Sequence, residues 1–192
     1  MITVLMATYQ GRQYLEQQLD TILAQTVPVK ILISDDGSDD GTREMLDNYA
    51  GWYPEQVVLH HRTEHTGGAA GNFFWLMQEA LKDEKNEYIF FSDQDDVWFE
   101  DKIKMAVEKL EHARENVPVL YFSNYDFYDG DLNFMAHRDG RTPNISFVNS
   151  LVDCVSLGFN SVFNRKAKDM VTEQMPEKST GHDWWMYMVC AG

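Results

Sequence analysis

Short apolar runs alternate along most of the chain with segments in which apolar residues recur at the helical period. Between the first two runs, Leu15, Leu19 and Ile22 fall on one face of a 3.6-residue period. Five runs have the length of a strand: residues 2–7, 29–33, 56–60, 88–91 and 119–122. Strands that alternate with helices form βαβ units. The pattern therefore predicts an α/β fold with a mostly parallel central sheet and helices on both of its faces.

Polar residues that are candidates for a site follow three of these strands. Thr8 and Tyr9 follow the first run, Asp35 and Asp36 follow the second, and the acidic stretch 93–96 follows the fourth. Ligands of parallel sheets bind beyond the carboxyl ends of the strands. We therefore expect these side chains to face one acidic cleft.

The pattern changes in the last third of the chain. Residues 124–146 are polar, rich in Asp, Asn and Gly, and without a clear period, which predicts a long loop or irregular strands. Val155–Phe163 predicts another strand, and a helix is expected from about Arg165. No repeat or linker divides the chain, so we expect one domain over residues 1–192. Because the closing apolar stretch stops abruptly, we expect the native protein to continue past Gly192.

Composition narrows the classes of ligand. The chain has 31 acidic and 16 basic residues and a net charge of −15, which opposes binding to a nucleic-acid backbone. A polyanionic ligand would need help from a metal cation or from backbone N–H groups. The two cysteines and the lack of a signal-like segment predict a reduced, cytoplasmic protein. No apolar run approaches the ~18 residues of a membrane helix, so any membrane contact is expected to be peripheral.

The acidic stretch Asp93-Gln94-Asp95-Asp96 has two interpretations. Carboxylates on a strand-end turn suit a hard divalent cation such as Mg²⁺ or Mn²⁺, with positions left for water and phosphate oxygens. Alternatively, Asp95 or Asp96 caps a helix that begins near Phe99, and the other carboxylates are solvated. The motif by itself leaves both interpretations open.

The turn from Asp35 to Thr42 also has two interpretations. A calcium loop of the EF-hand type would use Asp36, Ser38, Asp40, Gly41 and Asp47. The segment before the turn is predicted as a strand, and the last position lacks the expected Glu. A strand-end turn is therefore favoured, with an acid that hydrogen-bonds a nucleoside and with Ser38 or Asp39 as the cap of the next helix.

Two further stretches open predicted helices. The glycines of the stretch 67–72 allow backbone N–H groups to approach a phosphate or sugar, although close helix packing is the more common reason for them. The stretch Gly181-His182-Asp183-Trp184-Trp185 places an acid and an imidazole beside two tryptophans. Its carboxylate suits a general base beside aromatic rings that stack on sugars. The alternative is a helix start capped by Asp183 with both tryptophans in the core.

Four stretches, in this order along the chain, together resemble one known family. They are ITVLMATYQGRQYLEQQLDTILAQT, ILISDDGSDDGT, YIFFSDQDDVW and GHDWW. The chain is similar over nearly its whole length to inverting family-2 glycosyltransferases, and most similar to their rhamnosyltransferase-like branch. The resemblance implies the GT-A fold, a Rossmann-like αβα sandwich. It also implies a nucleotide-sugar half at about residues 1–123 and an acceptor-side half at about 124–192.

The resemblance implies a role for each matching residue. Asp183 matches the catalytic base, and Asp93 and Asp95 match the D-x-D acids, with Asp95 as the direct metal ligand and Asp93 near the donor as well. Where the family often has Glu before the base, this chain has His182. The implied donor-binding residues are Thr8, Tyr9, Asp35, Asp36, Gly68, Asn72 and Asp93. The implied acceptor-side residues are His182, Trp184 and Trp185.

The implied reaction is a metal-dependent, hexosyltransferase-type transfer with Mn²⁺ or Mg²⁺ as cofactor. The donor is expected to be a nucleotide-diphosphate sugar, dTDP- or UDP-linked, with rhamnose as the first candidate. The acceptor is expected to be a saccharide or a lipid-linked molecule in cell-surface polysaccharide synthesis. The protein would then work in the cytoplasm or at the inner face of the membrane, which residues beyond Gly192 would contact.

Two other functions remain as alternatives. A sugar-phosphate nucleotidyltransferase also combines a parallel sheet with a metal and a nucleotide. It would be expected to carry a basic, glycine-rich loop at its N-terminus, where residues 7–13 offer only Arg12. The second alternative is a non-enzymatic calcium-binding module built on the Asp35–Thr42 turn.

Overall fold

The computed structural model describes residues 1–112, 117–138, 144–176 and 181–192, and these form a six-stranded sheet, a two-stranded sheet and the helices around them. The strands are β1 (Ile2–Thr8), β2 (Lys30–Asp35), β3 (Val57–His61), β4 (Tyr88–Ser92), β5 (Leu120–Phe122), β6 (Asp126–Tyr128), β7 (Phe134–His137) and β8 (Ser161–Asn164). The helices are α1 (Leu15–Leu23), α2 (Thr42–Trp52), α3 (Ala69–Leu81), α4 (Lys102–Glu111), α5 (Phe147–Ser150), α6 (Arg165–Glu173) and α7 (His182–Ala191).

The large sheet has the strand order β3-β2-β1-β4-β8-β5. The first four strands pair in parallel, and β8 is antiparallel to both of its neighbours, β4 and β5. This arrangement confirms the prediction of an α/β fold with a mostly parallel sheet. It also brings the carboxyl ends of β1, β2 and β4 together at one edge.

The alternation of side chains along the strands gives the sheet an apolar core on each face. On β1, Val4 and Met6 pack with α1, α2 and α4, whereas Leu5 packs with α3, α6 and α7 on the opposite face. These three strand residues are fully buried. Burying a side chain of this size contributes roughly 1.5–3 kcal/mol to stability. Helices are therefore held on both faces, as the sequence pattern predicts.

The prediction of a strand over Val155–Phe163 is wrong for most of that segment. The strand β8 begins only at Ser161, and residues Gly158–Asn160 form a turn of 3₁₀ helix before it. The polar side chains bond locally: the Ser161 hydroxyl donates to the Leu157 carbonyl at 2.5 Å. Such short-range hydrogen bonds compete with strand pairing.

The polar segment 124–146 contains the antiparallel pair β6–β7, whose register is irregular between Phe127 and Tyr128. This matches the irregular strands that were one of its two interpretations, although part of the segment, 139–143, lies outside the described residues. In the described ranges, no helix is long and apolar enough to cross a membrane.

Both helix-capping predictions near the acidic turns are wrong. Helix α4 begins at Lys102, several residues after Asp95 and Asp96, so neither caps it. At the start of α2 the N-cap is Gly41, so neither Ser38 nor Asp39 caps the helix, and Asp40 orders the turn before it. Its Oδ1 accepts hydrogen bonds from the backbone N–H of Thr42 at 3.0 Å and from the Thr42 hydroxyl at 2.6 Å.

Candidate active site

A cleft of about 510 Å³ opens where β1, β2 and β4 end and α3 begins. Most of the donor-side residues predicted from the sequence line it, as expected for the carboxyl edge of a parallel sheet. The lining residues are Ala7, Thr8, Tyr9, Asp36, His65, Gly67, Gly68, Ala69, Asn72, Phe73, Asp93, Gln94 and Asp95.

Asp35 is the exception among the predicted donor-side residues, because it lies behind the cleft and is fully buried. Its carboxylate accepts hydrogen bonds from the hydroxyls of Thr8 at 3.1 Å and Ser38 at 2.5 Å. Arg43 Nε pairs with it at 3.0 Å, and the backbone N–H groups of Gly37 and Ser38 donate to it as well. With both oxygens engaged, Asp35 organises the strand-end turn and holds Thr8 in place.

Asp36 faces the cleft and fixes the loop on its opposite wall. One carboxylate oxygen accepts from the backbone N–H of Thr66 at 2.8 Å and the other from the Thr66 hydroxyl at 3.0 Å. Gly71 packs against the same loop, because a Cβ there would lie 2.4 Å from the Thr66 carbonyl oxygen. Close packing therefore explains this glycine, whereas Gly68 lines the cleft.

The side chains of the hypothetical calcium loop point to separate partners. Asp40 binds Thr42 and Asp47 binds His61, while Asp36 binds the loop across the cleft. Across the described ranges, no three His, Cys, Asp or Glu side chains form a group that could hold a metal ion. The structure thus argues against a self-contained calcium site in this turn.

Asn72 lies on the cleft wall and is almost fully buried, with 2% of its surface exposed. Its amide group donates to the Ser34 carbonyl at 2.8 Å, which ties α3 to β2. Its Oδ1 has no hydrogen-bond partner within the described part of the chain. A buried acceptor without a partner is costly in a closed core, so this atom is suited to a donor group on a ligand.

The acidic stretch after β4 forms a cluster of carboxylates that repel one another. Burial, as the largest cause, and the charges of Asp96, Asp95 and Asp183 together raise the pKa of Asp93 to about 7. Burial likewise raises the pKa of Asp96 to about 6, an effect that the positive charge of Lys102 opposes. A bound cation would relieve this repulsion and favour the ionised carboxylates.

Gln94, to which the sequence analysis assigned no role, joins the ends of two strands. Its Oε1 accepts from the backbone N–H of Tyr9 at 2.9 Å, and its Nε2 donates to the Tyr9 carbonyl at 2.9 Å. The side chain thereby links the end of β1 to the acidic turn after β4. Its place between the acids of the D-x-D pattern is the sequence signal that could have revealed it.

Asp183, in the first turn of α7, lies outside the residues that line the cleft but its charge acts on Asp93. One oxygen accepts from the backbone N–H of Trp184 at 2.8 Å. The other accepts from the backbone N–H of Gly158 at 3.1 Å. Helix α7 begins at His182 with Gly181 as its N-cap, so the alternative in which Asp183 caps the helix is wrong.

His182 lies in the core, where its ring stacks on Phe73 at a centroid distance of 3.9 Å and meets the Phe91 ring edge-on at 4.6 Å. Burial lowers its pKa to about 4, so the imidazole is neutral at pH 7. A ring enclosed in this way has no free face for a sugar. The structure therefore gives His182 a packing role instead of the expected contact with an acceptor.

The two tryptophans are half-buried and anchor the start of α7. Trp184 Nε1 donates to the Ser150 carbonyl at 2.6 Å. Trp185 packs against the core formed by α3, α6 and the sheet. These contacts agree with the alternative in which the tryptophans serve packing, and a role toward an acceptor stays a prediction.

Comparisons with known proteins identify the family. The model of glycosyl transferase family 2 matches residues 3–171. The dTDP-rhamnosyl transferase RfbG of Shigella flexneri is 39% identical over 140 residues, which cover 71% of this chain and 47% of that protein. The putative teichuronic acid biosynthesis glycosyltransferase TuaG of Bacillus subtilis is 26% identical over 199 residues, covering 100% of this chain and 73% of TuaG.

Solved structures share the fold. TarS of S. aureus (residues 1–349) superposes with a TM-score of 0.72 at 16% identity, covering 99% of this chain and 55% of TarS. The mannosyltransferase PcManGT of Pyrobaculum calidifontis, solved with GDP-Man and Mn²⁺, superposes with a TM-score of 0.63 at 21% identity. The match covers 95% of this chain and 49% of PcManGT. The chain thus spans about half the length of RfbG and of these structures. It has the GT-A fold and belongs to glycosyl transferase family 2.

Proposed function

We propose that this chain is the catalytic domain of an inverting, metal-dependent transferase that uses a nucleotide-diphosphate sugar. The observation that carries the proposal is the single cleft in which Thr8, Asp36, Asp93 and Asp95 meet, with Asp183 close enough to act electrostatically on Asp93. An acidic cluster beside a separate carboxylate is the arrangement that a one-step sugar transfer requires. The relatives support the proposal through their family.

The nucleoside is expected to bind at the rim formed by Tyr9 and His65. Tyr9 is 53% exposed, and its ring lies 6.2 Å from that of His65 in an edge-on arrangement. Exposed aromatic rings of this kind stack on nucleobases. Thr8 and Asp36 are placed to hydrogen-bond the nucleoside, whereas Asp35 acts through its hydrogen bond to Thr8.

The names of two relatives bear on the identity of the donor. RfbG is named a dTDP-rhamnosyl transferase, which favours a dTDP-linked donor. TarS has been solved with UDP-GlcNAc, which keeps UDP-sugars as the alternative.

The donor diphosphate is expected to lie between the acidic cluster and the start of α3. Backbone N–H groups at a helix N-terminus favour an anion, and Gly67 and Gly68 line the cleft at that point. Asp93 and Asp95 would hold a divalent cation, and the raised pKa of Asp93 indicates that the surroundings of this carboxylate disfavour uncompensated negative charge. When bound, Mn²⁺ or Mg²⁺ would neutralise charge on the diphosphate as it leaves.

Asp183 is proposed to act as the general base. Its carboxylate accepts the proton of the acceptor hydroxyl while the hydroxyl oxygen forms a bond to the anomeric carbon. The bond from that carbon to the diphosphate oxygen breaks in the same step, and the electron pair leaves with the nucleoside diphosphate. A single displacement of this kind inverts the anomeric configuration. The hydrogen bond from Gly158 fixes the orientation of the carboxylate.

The acceptor is proposed to be a saccharide or a lipid-linked molecule. TuaG is named for teichuronic acid biosynthesis, which supports a role in cell-surface polysaccharide synthesis. Such an acceptor would place the enzyme in the cytoplasm or at the inner face of the membrane.

Calorimetry on the full-length protein tests this function. We expect dTDP or UDP to bind only when Mn²⁺ or Mg²⁺ is present, and Asp95→Ala to weaken that binding by roughly tenfold or more. Asp131→Ala, in the exposed turn between β6 and β7, is the matched control. Equal nucleotide affinity with and without metal would contradict the metal role. A preference for nucleoside triphosphates would instead favour a nucleotidyltransferase.

A further inference from the structure

Lys102, the first residue of α4, is bonded to the turn that holds Asp183. We propose that Lys102 is a positioning residue that holds the turn at Gly158 and Phe159 and thereby orients the general base Asp183. The inference rests on the proposed function, because it assigns Lys102 a role toward that base. It does not follow from the D-x-D pattern, which ends before this residue.

The ammonium group of Lys102 is held on the inner side of the helix start. Its Nζ donates to the Phe159 carbonyl at 2.7 Å and lies 4.0 Å above the centroid of the Trp98 ring. A cation over the face of an indole ring is electrostatically favourable, especially away from water. These two contacts direct the group toward the site and away from solvent.

The charge of Lys102 acts on the acidic cluster. Desolvation lowers the pKa of Lys102 to about 8, and the charges of Asp96 and Asp93 oppose that shift. In return, its positive charge lowers the pKa values of Asp93 and Asp96, which burial has raised. A cation is costly to desolvate unless it is compensated. The acids provide this compensation, and Lys102 in turn offsets part of their mutual repulsion.

The carbonyl that Lys102 binds belongs to the turn that orients the base. Phe159 follows Gly158, whose backbone N–H donates to Asp183 at 3.1 Å. The turn also packs tightly against α7, since a Cβ on Gly158 would lie 2.7 Å from Nε2 of His182. The turn therefore cannot shift without disturbing the first turn of α7. Lys102 fixes the turn, and the turn fixes the carboxylate of Asp183.

This role predicts an effect on the rate that a general loss of structure would not produce. Removing the hydrogen bond to Phe159 frees the turn, so the orientation of Asp183 and the rate of transfer should suffer while donor binding changes little. A residue that only supports the fold would weaken both donor binding and transfer.

The test compares Lys102→Met with Lys104→Met in the full-length protein. Both changes remove one positive charge from α4, but Lys104 is exposed on the outer side of the helix. For Lys102→Met we expect the kcat with the donor sugar to fall on the order of tenfold to a hundredfold, with its KM little changed. Lys102→Arg, which keeps the charge and a donor, should restore most of kcat.

A second readout needs no donor. Hydrogen exchange of the Gly158 amide should be roughly tenfold faster in Lys102→Met than in Lys104→Met, because the turn has lost a charged hydrogen-bond donor. If the Met variant does not fold, Lys102→Gln, whose shorter side chain ends before the position of Nζ, should show the same faster exchange.

Two results would overturn the link. They are Gly158 exchange equal to that of Lys104→Met and full turnover by Lys102→Met. A wild-type protein that binds no Mn²⁺ and transfers no sugar would refute the proposed function instead. The exchange experiment would then still decide whether Lys102 holds the Gly158 turn.

Discussion

The two sides of the site are held in place in different ways. On the donor side, the ends of β1, β2 and β4 are joined by a buried network around Asp35 and by the two hydrogen bonds of Gln94. On the base side, Asp183 depends on the backbone N–H groups of Gly158 and Trp184 and on the packing of His182. Changes on the donor side should therefore reduce stability or binding, whereas changes on the base side should reduce the rate.

The largest effect is expected for Asp183→Asn. The amide has nearly the shape of the carboxylate and keeps an oxygen that can accept from Gly158, but it cannot take the proton of the acceptor hydroxyl. Turnover should fall roughly 10²- to 10⁴-fold, while binding of the nucleoside diphosphate and the free energy of unfolding change little. Steady-state kinetics and calorimetry on the same preparation check this. Normal transfer by this variant would show that the base lies elsewhere.

Asp35→Ala should produce the opposite pattern, a large loss of stability on the donor side. The change leaves the hydroxyls of Thr8 and Ser38 and two backbone N–H groups without their acceptor in a buried place. The free energy of unfolding should fall by about 2–4 kcal/mol, measured by urea denaturation. Asp39→Ala, an exposed acid in the same turn, serves as control and should change stability by less than about 1 kcal/mol. An equal loss in both variants would mean that the buried network is unimportant.

The donor side could be predicted from the sequence because its residues follow three apolar strands directly. A local pattern places Thr8, Asp36, Asp93 and Asp95 at strand ends, and parallel pairing then brings those ends together. The role of Asp35 was harder to predict, because two adjacent acids look alike in sequence although one points into the turn and the other into the cleft.

On the base side, the sequence predicts the acid of the Gly181–Trp185 stretch but not the residues that hold it in place. The partner of Asp183 is Gly158, and the turn that carries it precedes β8, a strand inserted antiparallel between β4 and β5. Such long-range pairing leaves no periodic signal in the chain. The packing role of His182 is hidden in the sequence for a related reason. A polar residue beside an acid resembles a site residue, whereas the fold places this ring against two phenylalanine rings.

The buried imidazole makes the base side sensitive to acid. His182 is held neutral, with its pKa lowered from 6.5 to about 4, whereas the unfolded chain takes up a proton below about pH 6.5. The stability linked to this group is therefore complete above pH 6.5 and is lost as the pH falls toward 4, by about 3 kcal/mol in all. The neighbouring charge of Asp183 works against this shift without reversing it.

Comparing wild type with His182→Leu isolates this effect from the other titrating groups. The free energy of unfolding should decline more steeply in the wild type than in the variant between pH 6.5 and 4, measured by urea denaturation at several pH values. Loss of the ring stacking lowers the free energy of unfolding of the variant by the same amount at every pH. The comparison therefore uses only the slopes of the free energy of unfolding against pH. Parallel curves would mean that the ring becomes charged in the folded state and that the base side is more open than its packing indicates.

The smallest effect is expected for Gln94→Glu, which tests whether the donor side depends on its link between β1 and β4. An ionised Glu still accepts from the N–H of Tyr9, but it has no donor for the Tyr9 carbonyl and adds a charge beside the diphosphate. Gln94→Met, which is uncharged and makes neither bond, separates the two contributions. Both variants should bind the nucleoside diphosphate several-fold more weakly, about 1 kcal/mol, with Gln17→Glu on the exposed face of α1 as the control for charge. If only Gln94→Glu weakens nucleotide binding, the effect is electrostatic and should fade at high salt. The arrangement of the strand ends on the donor side would then depend on the hydrogen bonds of Asp35 alone.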